Sequence, residues 1–179
     1  MTDNERQSLL EHLRRTRAIL LNSIAGVTPE QWRFEPEPGA WSIAQCAEHV
    51  ALTENAIFAR VTAPRSAAEL SEKPQTEGKD ELVLRAVPAR QRKVTAPEPV
   101  RPANRFADPE VFARHFETLR DRIVDYVATT QTDIRAIQDS HFVLQSLDGY
   151  QWLLLSGSHA ERHANQIAEI KQHPAFPSH

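Results

Sequence analysis

The chain has 179 residues, of which 40% are hydrophobic and 25% charged, as in an ordinary globular protein with one buried core. Its formal net charge of −3 argues against a general attraction to nucleic acid or to an anionic membrane. The beginning, MTDNERQ, lacks the basic and apolar regions of a secretory signal, and no apolar run is long enough to cross a bilayer. We therefore expect a cytoplasmic protein, and its single cysteine, Cys46, excludes an internal disulfide.

Helical periodicity organises the first third of the chain. Apolar residues recur every three to four positions and predict a first long helix over residues 3–25, ending before Gly26. The segment TPEQ at 28–31 has the capping pattern of a short helical turn. The segment SIAQ at 42–45 is a second capping pattern, and it predicts a second long helix that runs to about Val61.

The next segment, residues 63–107, holds repeated prolines that exclude a long helix, although 69–86 has room for a helical turn or two. Asp108 and Pro109 then begin a third long helix, predicted to run to about Thr130. Residues 131–147 form a connector in which HFVLQSL is expected to be extended and to cover an end of the molecule.

Asp148 caps a fourth long helix that continues to about Gln172. Four amphipathic helices, with a long proline-rich crossover between the second and the third, predict an all-α four-helix bundle. We expect residues 1–179 to form a single domain.

Two histidines lie on the inward stripe of the fourth helix. His159 and His163, one turn apart, share a helix face with six other residues: Trp152, Leu155, Ser156, Gln166, Ile167 and Ile170. An unpaired polar group on a buried face costs roughly 1–3 kcal/mol, so each imidazole requires a partner. Either each ring hydrogen-bonds a buried carbonyl or carboxylate, or both rings bind one metal ion. A histidine-based acid–base site without metal is the weakest interpretation, because no serine nucleophile or evident carboxylate accompanies the pair.

A third ligand is needed for a metal site, and His49 on the second helix is the best candidate. By phase it lies beside the apolar stripe, on the side shared with Cys46 and Thr53, and phase alone favours a partly exposed surface histidine. Cys46 is interpreted first as a small buried residue and second as a fourth ligand or reactive thiol. The remaining histidines have no matching partners and are interpreted as surface or structural: His12, His115, His141, His173 and His179.

Three segments together carry a resemblance to a known family. WSIAQCAEHV at 41–50, the proline-rich crossover, and HAERHANQI at 159–167 resemble the DinB-like superfamily of four-helix bundles in order and spacing. The resemblance implies a divalent metal, zinc or nickel, held by three histidines with open positions for water or substrate. Carried over to this sequence, the metal ligands are His49, His159 and His163.

The same resemblance implies a function. Members similar to this chain include transferases that use the small thiols bacillithiol or mycothiol, and many others are described as metal-dependent hydrolases. We therefore expect a thiol-dependent S-transferase with a low-molecular-weight thiol as cosubstrate. A hydrolase of a small substrate and a non-catalytic metal-binding stress protein are the alternatives. Gln166 either orients a ligand or a metal-bound water, or hydrogen-bonds a histidine.

Outside the histidines, the crossover from 85 to 105 carries basic residues that could attract the carboxylates of a thiol: Arg85, Arg90, Arg92, Lys93, Arg101 and Arg105. Pairing of these arginines with neighbouring acids is the favoured interpretation. Trp41 and Trp152 are interpreted as packing residues. The expected partner is a small-molecule substrate or thiol rather than nucleic acid or a membrane, with a homodimer as a further expectation.

Overall fold

A computed structural model describes residues 1–66, 76, 78–90 and 94–178, and long helices account for most of them. The helices are α1 (Asp3–Ile24), α2 (Pro29–Arg33), α3 (Ile43–Thr62), α4 (Lys79–Ala86), α5 (Pro109–Thr129) and α6 (Gly149–Lys171). The other elements are strands β1 (Gln138–His141) and β2 (Gln145–Asp148) and two 3₁₀ turns, Glu98–Val100 and Ile134–Ala136. The predicted four-helix bundle is confirmed, with α1, α3, α5 and α6 as its long helices.

Each long helix begins at a polar side chain that caps its first turn. The Ser42 hydroxyl accepts a hydrogen bond from the backbone N–H of Gln45 at 3.3 Å. Asp108 and Asp148 accept from backbone N–H groups three residues further on, each at 2.8 Å. Because such caps are local, the sequence locates the beginnings of the four long helices, and the predicted C-terminal ends lie one residue from the observed ones.

The α1 helix runs antiparallel to α5. Near the beginning of α1, the Arg6 guanidinium donates to the carbonyl of Val127, close to the end of α5. Further along α1, Arg17 pairs with Asp121 at 2.5 Å, which is earlier in α5. Contacts that advance along one helix while they retreat along the other establish the antiparallel direction.

The same helix runs parallel to α6, and the two approach closely. His12 Nε2 donates to the carbonyl of Leu154 at 3.1 Å, and Arg15 pairs with Glu161 at 2.8 Å, so both series of contacts advance together. At Gly157 a Cβ atom would overlap the His12 ring. The absence of a side chain at this glycine therefore allows α1 and α6 to pack against each other.

The α3 helix is parallel to α5 and antiparallel to α6. Glu54 pairs with Arg120, and four residues later Phe58 contacts Tyr126 at 5.6 Å between ring centroids. The bundle is thus up-down-down-up. Because α3 and α5 point the same way, the chain must travel back along the bundle between them, which explains the long crossover.

The crossover and the hairpin differ in detail from the predictions. Of the region 69–86, α4 confirms a helical segment, whereas 69–75 and 77 lie outside the described residues. The connector 131–147 contains an antiparallel hairpin, in which Gln138 pairs with Asp148 and His141 with Gln145, instead of one extended segment. This small sheet is an addition to the bundle, and the prediction of a helical fold class is confirmed. None of the described helices is both long and apolar enough to span a bilayer.

Gly157→Ala tests the close packing of α1 on α6. Alanine in place of glycine normally stabilises a helix by about 1 kcal/mol, but here the added methyl group overlaps His12. Overpacking of this kind costs roughly 1–3 kcal/mol, so we expect a lower free energy of unfolding in urea. A variant with both Gly157→Ala and His12→Ala should lose less stability than the sum of the two single changes. A more stable single variant would contradict the close approach.

His12 should make stability depend on pH. Burial lowers its pKa to about 4, while the Leu154 carbonyl acts in the opposite direction and Arg15, Arg120 and Glu161 contribute smaller effects. In the unfolded chain the pKa is near its ordinary value of about 6.5, so the unfolded state binds the proton first as the pH falls. Stability is therefore lost between about pH 6.5 and 4, by about 3 kcal/mol in total.

The measurement is the free energy of unfolding at several pH values, compared with that of His12→Gln. The glutamine keeps a donor for the Leu154 carbonyl but does not titrate. We expect the wild-type protein to lose more stability than the variant between pH 7 and 4.5. Parallel pH profiles would show that His12 is not responsible.

Candidate metal centre

Three of the eight histidines converge between α3 and α6. His159 and His163 lie one turn apart on α6, with their Nε2 atoms 3.2 Å apart. The ring of His49, from α3, lies 4.9 Å from that of His159 and 5.0 Å from that of His163 between centroids. One ligand nitrogen from each ring lies within 4.8 Å of the others, so the structure brings together all three predicted ligands.

Burial keeps these imidazoles neutral. It lowers the pKa of His49, and the hydrogen bond to the Val100 carbonyl only partly offsets this effect. Burial lowers the pKa of His159 and His163 well below the ordinary value, and the neighbouring histidines of the cluster lower both further. Neutral imidazoles have a free lone pair at neutral pH, which is the form that binds metal ions.

A backbone carbonyl selects the ring nitrogen that His49 offers. His49 Nδ1 lies 2.7 Å from the oxygen of Val100. Because a carbonyl oxygen can only accept, Nδ1 carries the proton and the Nε2 lone pair remains available. Sequence reasoning did not find this partner, because a backbone carbonyl from a distant segment has no residue signature.

Hydrogen bonding to carbonyls or carboxylates does not account for the pair on α6. In the described part of the chain neither His159 nor His163 makes such a bond, and each Nε2 faces the other. Zinc–nitrogen bonds of about 2.0–2.1 Å in a tetrahedral site place two ligand nitrogens about 3.3–3.4 Å apart. The observed 3.2 Å is close to that separation, so the residues present fit a divalent metal.

Cys46 is not part of the cluster. It is fully buried on α3, and burial raises the pKa of its thiol to about 12. A protonated, enclosed thiol is a poor nucleophile at neutral pH, and its sulfur is not among the ligand atoms that lie within 4.8 Å of one another. The interpretation as a small buried residue is therefore the one that the structure supports.

Trp41 forms a wall of the cluster. Its ring lies 4.8 Å from that of His49 and is stacked 6.1 Å from that of His163. This residue was expected only to pack. Trp152, by contrast, is buried two turns before His159, where the Arg60 guanidinium lies 4.7 Å from its ring.

Gln166 and Arg90 lie at the edge of the site. Gln166 Oε1 accepts from Arg90 at 2.8 Å, and the Gln166 side chain raises the pKa of His163 against the larger effect of burial. Arg90 also forms a two-pronged ion pair with Glu169, with both distances 3.0 Å. Gln166 thus links a histidine of the cluster to an ion pair.

Other crossover arginines bind protein groups as well. Arg101 Nε donates to the carbonyl of Ala96 at 3.1 Å, and Arg105 pairs with Glu48 at 3.0 Å. Arg92 and Lys93 lie outside the described residues. Pairing with neighbouring acids was the favoured interpretation of these arginines, and the contacts of Arg90 and Arg105 agree with it, whereas Arg101 contacts a carbonyl instead.

The other described histidines lie outside the cluster. His12 is buried against α6, and His141 stacks on Phe142 at the hairpin. His115 contacts the ring of Phe106, and His173 contacts the ring of Phe34. His179 lies outside the described residues.

Comparison with known proteins finds similar sequences. A sequence profile of the DinB superfamily matches residues 12–167. The chain is 25% identical over 154 residues to the uncharacterized protein YuaE of Bacillus subtilis, a match that covers 84% of this chain and 90% of YuaE.

A solved structure shares the fold. YfiT of Bacillus subtilis is described as a probable metal-dependent hydrolase with an unusual four-helix bundle topology. It superposes with a TM-score of 0.60 at 15% identity, over 99% of this chain and 91% of YfiT. At this identity the likeness establishes the fold alone.

Proposed function

The chain belongs to the DinB superfamily, and on that premise we propose that it is a metal-dependent enzyme in which His49, His159 and His163 hold one divalent cation. The observation that carries the proposal is the convergence of three neutral imidazoles from two helices, with two Nε2 atoms 3.2 Å apart. Zinc and nickel are the proposed metals, because imidazole nitrogen suits both.

The number of ligands supports catalysis over a purely structural role. In the described part of the chain, the cluster contains no fourth histidine, cysteine, aspartate or glutamate. Structural zinc sites use four protein ligands, whereas catalytic sites use three and leave a position for water or substrate. Cys46, which would have closed the site, is excluded by its burial away from the cluster. This argument disfavours the non-catalytic stress protein.

The protein would hold the cation with neutral ligands in a buried site that solvent reaches from a limited direction. Three neutral ligands leave the full double charge of a cation uncompensated, and burial of His163 and His49 lowers the local dielectric. When bound, the metal would supply Lewis acidity that lowers the pKa of a thiol or water ligand. Trp41 limits access from one side, and Gln166 presents its amide beside His163.

The proposed reaction is transfer of a small thiol to an electrophile. This part rests on the resemblance of the three segments at 41–50, 63–107 and 159–167 to the DinB-like superfamily, which includes thiol-dependent transferases. Hydrolysis of a small substrate is the second candidate, and the description of YfiT as a probable metal-dependent hydrolase favours it. Both reactions need the same activated nucleophile and differ in whether that nucleophile is a thiol or water.

Metal content is the first test. We expect about one zinc or nickel ion per chain by elemental analysis after reconstitution, and a loss of affinity of at least 100-fold on His49→Ala or His163→Ala. Cys46→Ala is the matched control, since it removes a potential ligand one turn before His49 and should keep the metal. Circular dichroism verifies that each variant is folded. No stoichiometric metal in the wild type would refute the proposal.

The second test separates the reactions. Conjugation of an electrophile such as monochlorobimane is measured with cysteine, bacillithiol, mycothiol and glutathione, beside hydrolysis of p-nitrophenyl acetate. Metal-dependent conjugation that His163→Ala abolishes and Cys46→Ala retains supports the transferase. Metal-dependent hydrolysis without conjugation assigns the second candidate, and activity that survives removal of the metal contradicts both.

A further inference from the structure

A segment of the crossover lies beside His49 and is hydrogen-bonded to α3 at several positions. We call residues 98–105 the strap; it begins with the 3₁₀ turn Glu98–Val100. Within it, the Arg101 N–H donates to the Glu98 carbonyl at 3.1 Å and closes the turn. Val100, at the end of that turn, is the residue whose carbonyl accepts from His49.

The residue before His49 binds the same strap. Glu48 is 1% exposed, and its carboxylate accepts three hydrogen bonds. The backbone N–H groups of Ala103 and Arg105 donate to it at 2.9 Å each, and the Arg105 guanidinium donates at 3.0 Å. Consecutive residues of α3 therefore hold the strap at positions 100, 103 and 105.

The chemistry of these contacts requires a carboxylate. All three groups that face Glu48 are donors, and an ionised carboxylate is a side chain with acceptors only. A glutamine would turn an NH₂ group toward a donor, and an alanine would leave the N–H groups of Ala103 and Arg105 without a protein acceptor. Ala103 and Arg105 are exposed, so water would take the place of the carboxylate as acceptor, and these bonds would no longer hold the strap against α3.

We propose that Glu48 is a positioning residue that holds the strap so that the Val100 carbonyl fixes His49 with its proton on Nδ1. His49 then directs Nε2, with its lone pair, at the metal centre. Without the carbonyl, either ring nitrogen can carry the proton and the ring can rotate. The consequence for metal affinity rests on the proposed function; the consequence for the His49 ring does not.

The first test determines which ring nitrogen of His49 carries the proton in the metal-free protein. Nitrogen-15 NMR of histidine-labelled protein distinguishes a protonated ring nitrogen from an unprotonated one. We expect the wild type to show His49 protonated at Nδ1, and both Glu48→Gln and Glu48→Ala to show a mixture of the two neutral forms. Hydrogen exchange at the amides of Ala103 and Arg105 should accelerate in both variants, because these amides lose their acceptor.

The second test measures zinc affinity by competition with a chelator. Loss of a partner that orients a ligand weakens metal binding by roughly 10–100-fold, and we expect this range for Glu48→Ala, with a smaller loss for Glu48→Gln. Glu5→Gln is the matched control. The Glu5 carboxylate also accepts from a backbone N–H, that of Thr2 at 2.6 Å, and from Arg135 at 2.8 Å.

Because Glu5 lies at the far end of the bundle, its variant should leave the His49 ring and the zinc affinity unchanged. A purely structural role for Glu48 would lower the melting temperature while the tautomer of His49 stays fixed, and that result overturns the proposal. So does a wild-type His49 protonated at Nε2. If the wild type binds no zinc, the proposed function fails, whereas the NMR and exchange measurements still decide the role of Glu48.

Discussion

A buried ion pair between Glu54 and Arg120 sets the arrangement on which the candidate metal centre depends. Both side chains are fully buried, and Arg120 also donates to the Leu13 carbonyl at 2.6 Å and to the Thr16 hydroxyl at 2.9 Å. These contacts join α3, α5 and α1 at one point. Removing one partner of such a pair costs about 3–5 kcal/mol, because an unpaired charge remains inside. The three helices are therefore fixed in register with one another.

This register reaches the metal centre through α3. His49 lies five residues before Glu54, about 7.5 Å along the helix axis, so fixing Glu54 also fixes the height of His49 relative to α5 and α1. The α1 helix in turn contacts α6 through His12 and Arg15. The parallel direction of α3 and α5 makes the chain return along the bundle between them. The returning crossover supplies the Val100 carbonyl that orients His49. The connectivity of the bundle and the chemistry of its site are thus consequences of the same helix arrangement.

The sequence predicted what local chemistry determines. Capping residues such as Ser42 located the beginnings of the long helices. Helical phase identified the inward direction of His159 and His163. Phase treats charged residues as outward-facing, so it missed the Glu54–Arg120 pair, whose two members are 66 residues apart. His49 lies at the flank of its stripe, where phase alone favoured a surface histidine, and the family resemblance raised it from a candidate to a predicted ligand. The β-hairpin and the strap depend on contacts between distant segments and have no periodic signature.

The charges around the site limit how it can recognise a substrate. The crossover arginines allowed a positive mouth as an alternative, but pairing with acids was the favoured interpretation, and Arg90 is paired with Glu169 and Arg105 with Glu48. The two-pronged pair of Arg90 with Glu169 is nearly neutral at a distance, so Arg90 attracts a second carboxylate only weakly. Arg105 gives one guanidinium nitrogen to Glu48 and its side chain is half exposed, so it keeps donors that face solvent. Of the groups described at the site, a divalent metal on three neutral imidazoles would offer the strongest attraction for an anionic nucleophile, with the Trp41 ring beside it as the apolar contact.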